Sequence, residues 1–487
     1  MMSCAIDARE GRHLAVTDIP GEFLHADMEQ DIHMLLKGTI AMLIVKLDPS
    51  LYRKFIWENK KGKPMLYIKL KKALYGTLQV ALLFWRLLSD TLIEWGFKLN
   101  EYDKCVANKI INGKQCTIIW HVDDLKISHV DPKVVNNIIK KLEEKFGQES
   151  PLVTSQGKKI VYLGMCIDYT IKGKVKISMY DFIDKMLAEL PSDMNGVSAT
   201  PAALHLFNID EGAEKLDENK AQLFHHLVAK LLYLSRRSRQ DIQTAVAFLC
   251  TRVQSPDTDD YKKLVKVMKY LCNTKHITLT MEAGSRPKWC VDSSYAVHPD
   301  MRSHSGIFMT LGKGTAYAAS SKPKLNTKSS TEAELVAIDD SMAQVLWTRH
   351  FLAAQGKHIP TTTIHQDNKS TILLAQNRRT SSSKRTKHLN IRYFFVTDKI
   401  KKGEIKIAHY STQDMIGDFF TKPLQGALFM RLRSKILNLP SSSRTAVHRS
   451  VLEDDKNRSV NEKDTRLITR LGKNKTVIGG GDGNSKL

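Results

Sequence analysis

Apolar positions recur along this chain with two different periods, and the switches between them mark its elements. Cys116–Trp120 and Leu125–Val130 are apolar, β-branched runs on either side of His121-Val122-Asp123-Asp124. They predict two strands joined at an acidic pair. Gly11–Asp18 predicts a short strand ending in an acid, followed by a turn at Ile19-Pro20-Gly21 and a helical run to Met34. After Gly76 the apolar positions take helical spacing as far as Trp95, with Arg86, Asp90 and Glu94 on one exposed stripe and Gly96 closing the helix. Val134–Phe146 is a second amphipathic helix, ending at Gly147. Val161–Tyr169 and Lys174–Ser178 predict paired strands around Lys172-Gly173, and Asp181–Leu190 predicts a helix.

Pro191–Asp217 is polar and interrupted by Pro and Gly, as a linker would be. Phe224–Thr251 and Asp259–Cys272 predict two helices, the first bearing Arg236-Arg237-Ser238-Arg239 as a phosphate-contacting or a solvated face. Pro287–Tyr295 is strand-like with an acid near its end, and Ser305–Leu311 and Thr315–Ser321 form a hairpin. Ser329-Ser330-Thr331-Glu332 opens a helix. Thr361–Asn368 is a strand ending in an acid before a helix at Ser370–Gln376, and Ile405–Tyr410 is a further strand. Arg378–Arg392 is basic and Ser/Thr-rich, Met415–Leu424 is a loop with a short turn, and the chain after about Asn438 is aperiodic and expected to be disordered.

Composition narrows the partners. The 487 residues suit roughly three domains of ~150 residues. Lys and Arg number 74 against 51 acids, a formal charge of +23, which favours a polyanionic partner such as nucleic acid. The 7 Cys have no metal-ligand or C-x-x-C spacing and read as reduced, intracellular thiols. There is neither a signal-type apolar core nor an apolar run long enough to cross a bilayer, so a soluble, non-secreted protein with no membrane partner is expected.

The acids carry the chemistry. Adjacent carboxylates between buried strands are costly unless a positive charge neutralises them. Oxygen ligands suit Mg²⁺. Taken singly, each acid reads as a cap, a turn or a hairpin tip. The Asp-Asp tip, however, lacks the Gly or Asn that a tight primed hairpin wants. If Asp18, Asp123 and Asp124 meet at one sheet edge, beside a helix led by Gly76, they can hold two Mg²⁺ ions ~4 Å apart. Such ions would activate a 3′-hydroxyl and stabilise a leaving pyrophosphate. A second set, Asp292, Glu334 or its rival Glu332, Asp367 and Asp418, could converge above another sheet for two-metal hydrolysis.

Asp18 with Phe23-Leu24, Leu74-Tyr75-Gly76 with Gln79 and Trp85, His121-Val122-Asp123-Asp124, and Tyr162-Leu163-Gly164 resemble, in order, the reverse transcriptase motifs of copia-type LTR retrotransposon polyproteins. Val291–Ala296, Ser330-Thr331-Glu332-Ala333-Glu334, Asp367-Asn368, Arg385-Thr386-Lys387-His388 and Asp418 with Thr421-Lys422-Pro423-Leu424 resemble the RNase H domain that follows in the same polyproteins. The resemblance covers about Ala5 to Leu439. It implies that all seven acids, Asp18, Asp123, Asp124, Asp292, Glu334, Asp367 and Asp418, are catalytic and bind Mg²⁺ (or Mn²⁺). Glu334 is favoured over Glu332 because an acid-Leu-x-Ala helix start matches RNase H enzymes more widely. Phe23 would be the steric gate against a ribose 2′-hydroxyl, and Tyr75, Gly76, Gln79, Lys387 and His388 would contact substrate. The sequence departs from the family at Leu78-Gln79-Val80-Ala81-Leu82, where Lys-Gln-Ala-Pro-Arg is common, and at Phe394, where a His is usual.

The fold expected is α+β: a truncated reverse transcriptase palm at 1–190 with its fingers missing, a linker and helical thumb or connection at 191–285, an RNase H-like α/β domain at 286–438 and a disordered basic tail at 439–487. The activity implied is RNA-directed DNA synthesis with hydrolysis of RNA in the hybrid. Its partners would be template–primer, RNA–DNA hybrid, dNTPs, and further copies or other polyprotein products, in a cytoplasmic particle or the nucleus. The alternatives are a catalytically dead nucleic-acid-binding relic and an RNase H-only enzyme. With the fingers missing, hydrolysis is expected to outlast polymerisation.

Overall fold

The structure, a computed structural model, describes residues 1–77, 79–377 and 387–440, without the side chains of 285, 377, 387–391 and 393. Helix α1 (Met2–Glu10) leads into strand β1 (His13–Asp18). Residues 33–69 then form a small unit of β2 (His33–Lys37), α2 (Thr39–Leu47), α3 (Pro49–Tyr52), β3 (Trp57–Glu58) and β4 (Pro64–Lys69), its strands in the order β2-β4-β3. Next come α4 (Val80–Glu94), β5 (Lys98–Leu99), β6 (Val106–Ile111), β7 (Lys114–His121), β8 (Asp124–His129), α5 (Pro132–Phe146) and β9 (Val153–Gln156). The resulting six-stranded sheet has the order β5-β6-β7-β8-β1-β9, so the first strand in the chain lies inside it. Helices α4 and α5 bury Phe84, Leu88, Ile138 and Leu142 in one core with Ile118, Trp120, Leu125 and Ile127 of the sheet.

An eight-stranded sheet follows. Strands β10 (Lys159–Tyr162), β11 (Met165–Asp168) and β12 (Lys174–Ser178) precede the helices α6 (Tyr180–Ala188), α7 (Glu218–Arg237), α8 (Gln243–Cys250) and α9 (Thr258–Thr274). Strands β13 (Leu279–Ser294), β14 (His304–Lys313) and β15 (Tyr317–Ser321) lead to α10 (Ser330–Ala354), β16 (Thr362–Gln366), α11 (Lys369–Asn377), α12 (Lys387–Lys401), β17 (Ile405–His409) and α13 (Gly426–Leu437). The order is β10-β11-β12-β13-β14-β15, with β16 parallel to β13 and β17 parallel to β16. Strand β13 runs through position 285, and it pairs with β12 from before position 190. Strands and helices thus mix in the α+β manner, and among the described residues no helix is long and apolar enough to cross a membrane.

Several local expectations are corrected. The helical run to Met34 is only a 3-10 turn at Glu22–His25, because residues 33–37 pair with β4 as a strand that joins the small core of Leu36, Ala41, Val45, Leu66 and Ile68 under α2. The strand at Val161–Tyr169 is folded in two at Leu163-Gly164, both with positive φ (49° and 70°), as a two-residue hairpin requires. The helix at Phe224–Thr251 breaks at Ser238–Ile242. There Arg239 is fully buried and donates to both oxygens of Asp241 and to Thr274, so it cannot contact a phosphate. The predicted linker at Pro191–Asp217 packs Met194, Leu206 and Phe207 into the main core. The strand at Pro287 starts earlier, at Leu279, and carries a bulge between Ala283 and Lys288. Residues 378–386 and 441–487, which include Arg385 and most of the predicted tail, lie outside the described residues.

Buried charge ties α1 to the first sheet. Lys126 of β8 is fully enclosed and ion-paired with Asp7, which also lies 3.6 Å from Arg12. Arg12 donates to Thr117 and Ser128 as well. Burial pulls the Lys126 ammonium down, but Asp7 outweighs it and the net direction is upward. Asp7→Ala should therefore cost about 3–5 kcal/mol, because it strands a buried ammonium. Asp7→Leu with Lys126→Met should fall within ~1–2 kcal/mol of the parent. Denaturant midpoints compare the two.

Candidate functional site

The first acid set forms where β1 meets the β7–β8 hairpin. Asp18 stands opposite Asp124 in antiparallel register, and His121 pairs with Asp124 across a two-residue turn of Val122 and Asp123. The turn is tight despite lacking Gly or Asn: Val122 takes φ 59°, a conformation costing a β-branched residue roughly 1–3 kcal/mol. The Ile19 N–H donates to the Asp123 carbonyl at 3.3 Å, fastening the end of β1 to the turn. Burial and the neighbouring Asp123 and Asp124 charges raise the Asp18 carboxyl; burial, then Asp123, raises Asp124.

A fourth carboxylate, Glu22, is buried nearby and accepts a 2.6 Å hydrogen bond from the Tyr75 hydroxyl. That bond and burial push Tyr75 up to about 12. The Phe23 ring is buried, edge-on to Tyr75 at 4.5 Å and 6.3 Å from Phe84. Gly76 has φ 95° and open space on its Cβ side, and Gln79 leads into α4 without a side-chain cap bond. Nothing in the sequence pattern sets Glu22 apart from an ordinary first-turn acid.

The second set converges more tightly. One oxygen each of Asp292, Glu334 and Asp367 lie within 4.8 Å of one another. Asp292 sits near the end of β13, and Asp367 directly follows β16, its parallel neighbour. The Ser329 side chain accepts from the Glu332 N–H and starts α10 so that Glu334 points inward, buried. Glu332 instead accepts the Lys328 N–H at 2.7 Å, outside the cluster. Gln366, fully buried, clamps the set. Its amide N–H donates to Glu334 at 2.9 Å and to the Val291 carbonyl, while its oxygen accepts the Asp367 and Asn368 N–H groups. Sequence reading missed Gln366, since an amide in a strand resembles any polar alternation.

Asp418 stands beside Asp292 rather than in the three-way cluster. Lys422 lies 2.6 Å from Asp418 and 3.8 Å from Asp292, and the Thr421 hydroxyl donates to Asp292. Gly417 makes this contact possible, because a Cβ there would fall 2.5 Å from the Asp292 Cβ. Burial, reinforced by the Asp418 charge, pushes Asp292 up to about 6 against the pull of Lys422 and Thr421. Burial and the Asp292 and Asp367 charges hold Glu334 well above the carboxylate range, with Gln366 opposing. Three crowded acids offset chiefly by one ammonium fit a divalent cation, whose oxygen ligands lie ~2.0–2.6 Å from the ion. Lys387 and His388 start α12, and their side chains lie outside the described residues.

Residues 2–203, which hold the first acid set and not the second, match the family described as Reverse transcriptase (RNA-dependent DNA polymerase). Over 391 residues the chain is 27% identical to the Retrovirus-related Pol polyprotein from transposon RE1 of Arabidopsis thaliana, covering 77% of this chain and 25% of that one. It is 26% identical over 416 residues to the corresponding polyprotein from transposon TNT 1-94 of Nicotiana tabacum, covering 83% and 29%. The chain is a relative of the copia-type retrotransposon Pol polyproteins. This Pol relative spans about a quarter of the length of the curated relatives it matches. Among solved structures, a foamy viral protease-reverse transcriptase in complex with RNA/DNA hybrid overlaps 85% of this chain and 46% of that one, with 12% identity and a TM-score of 0.47.

Raised acids make stability fall with pH. A carboxyl whose folded pKa exceeds its unfolded one stabilises the fold at low pH, and that contribution is lost as pH rises through the folded value, about 6 for Asp292. In metal-free buffer at pH 8, Glu334→Gln should therefore melt higher than the parent. Mg²⁺ should raise the parent's Tm and leave the variant's nearly unchanged. Thermal scans with EDTA or Mg²⁺ decide, and identical metal responses would refute the assignment.

Proposed function

We propose that this Pol relative carries two metal-dependent nucleic-acid sites: RNA-directed DNA polymerisation at Asp18, Asp123 and Asp124, and hydrolysis of the RNA strand of a hybrid at Asp292, Glu334, Asp367 and Asp418. The observation that carries the hydrolytic reading is the convergence of Asp292, Glu334 and Asp367 within 4.8 Å. The polymerase reading is supported by Asp18 lying opposite Asp124 inside the region matching the reverse transcriptase family. Bound Mg²⁺ or Mn²⁺ would supply Lewis-acid activation of a water or 3′-hydroxyl and neutralise developing negative charge.

The protein's own groups set the geometry. Gln366 fixes Glu334 and the Asp367 backbone together, and Thr421 orients Asp292. Lys422 balances Asp292 and Asp418 and could follow the negative charge onto a scissile phosphate. At the first site the Glu22–Tyr75 bond fixes one wall over Phe23, where the resemblance puts the discrimination between dNTPs and ribonucleotides. Gly76 and Gln79 would face template and nucleotide, and Lys387 and His388 the hybrid.

The two sites should fail separately. Asp367→Asn should lower Mg²⁺-dependent cleavage of a labelled RNA–DNA hybrid by on the order of 100-fold or more, a loss of several kcal/mol of charge stabilisation, and spare primer extension. Asp123→Asn should do the reverse. If either change removes both activities, the two-site reading falls.

Hybrid affinity should also drop steeply with salt, because a chain of charge +23 binds through counterion release. Titrations at several salt concentrations measure the slope, and a flat response would count against a polyelectrolyte interface.

A further inference from the structure

The small sheet of residues 33–69 has two unlike faces. Leu36 and Leu66, paired across β2 and β4, pack with Ile68 under Ala41 and Val45 of α2. The opposite face carries the other register pairs, Leu35 with Tyr67 and His33 with Lys69, together with Lys37 and Trp57, which both pair with Met65. Trp57 and Tyr67 remain 45% and 54% exposed. Their rings nonetheless lie nearly parallel, 15° apart with centroids at 6.3 Å. Two large aromatic planes held parallel in solvent would ordinarily be buried by folding, and here the fold leaves them open.

Charge identifies what covers them. Residues 33–69 contain eight Lys and Arg against two acids. His33, Lys37 and Lys69 stand exposed on the aromatic face, and Lys60, Lys61 and Lys63 are exposed in the turn joining β3 to β4. Lys69 pairs with Asp31, but that pair is largely solvated and free to exchange. A second copy would bring the same cations against themselves. A polyanion with flat apolar rings meets both demands: the cations track phosphates and the planes receive bases. Paired bases hide their faces in the duplex, so the strand must be unpaired.

We infer that the outer face of β2-β4-β3 is a binding platform for single-stranded nucleic acid, with bases stacking on Trp57 and Tyr67 and phosphates held by Lys37, Lys69 and the β3–β4 turn. None of these residues belongs to either acid set. Lys69 is six residues before Tyr75, so at most about 20 Å of chain separates the platform from the Glu22–Tyr75 wall. An unpaired stretch continuous with a duplex at the first acid set could reach it. The inference rests on the proposed function only for that continuity, because binding to the platform needs no catalysis.

The test is fluorescence anisotropy in EDTA with a labelled oligothymidylate and a labelled duplex of equal length. Trp57→Ala with Tyr67→Ala should weaken single-strand binding about tenfold or more and change duplex binding by less than about threefold, while Trp57→Phe with Tyr67→Phe keeps most of the affinity. Lys37→Glu with Lys69→Glu, both on exposed side chains, gives the same selective loss and serves if the alanine pair fails to fold. Asp123→Asn and Asp367→Asn should bind the single strand like the parent, so loss of catalysis and loss of the platform are read apart. Equal weakening on both probes, or none, overturns the inference. So does unchanged single-strand binding with a sedimentation shift from dimer to monomer in the alanine pair, which would give the face to a second copy.

Discussion

A strand buried in a sheet must find hydrogen-bond partners along both edges, and in β13 that requirement organises the C-terminal two thirds of the molecule. Its first residues pair with β12, Lys288–Cys290 pair with β16, and β14 follows it on the other edge across the bulge to Ser294. No single neighbour is long enough to satisfy all of it. The hairpins from residues 159–178 and the strands from 304–321 and 362–366 are therefore joined through one backbone. Asp292 lies near its end, so the position of the second acid set is inherited from pairings made far from it.

The two acid sets solve the same electrostatic problem differently. At the first, the carboxylates stay partly exposed and are crowded by a strained hairpin and a short register match. At the second, Asp292, Glu334 and Asp418 are withdrawn from water and supported by Gln366, Thr421 and Lys422. Burial strengthens every charge interaction, favourable or not, which is why the second set is displaced further in its proton affinity.

What could be read in the sequence is what local period encodes. The strands flanking Asp123-Asp124 and the helices at 80–94 and 132–146 have apolar spacing that matches the face they bury. The acids at strand ends were visible for the same reason. Asn112-Gly113, a two-residue turn with positive φ at both positions, is a local hairpin signal of the same kind. The small unit at 33–69 was hidden because short strands and a strongly apolar helix blur the two periods. Glu22, Gln366 and Arg239 were hidden because their roles depend on partners far away in the chain, and a single sequence carries no record of which distant residue is opposite.

The placement of β1 inside its sheet has a consequence for how the protein is made. Its partner in one direction is β8, and the ion pair between Asp7 and Lys126 closes a separation of 119 residues. At a synthesis rate of about 5–20 residues per second, that partner leaves the ribosome roughly 6–24 s after α1 does. Throughout that interval β1 exposes two unpaired edges, and α1 carries an acid with no cation from β8 to meet it. The Arg9 contact to Gly284 comes later still, across 275 residues. Helix α1 and strand β1 are thus made well before the residues that lock them in place. That interval gives a chaperone, or a neighbouring nascent chain, its opportunity to intervene at the open edges of β1.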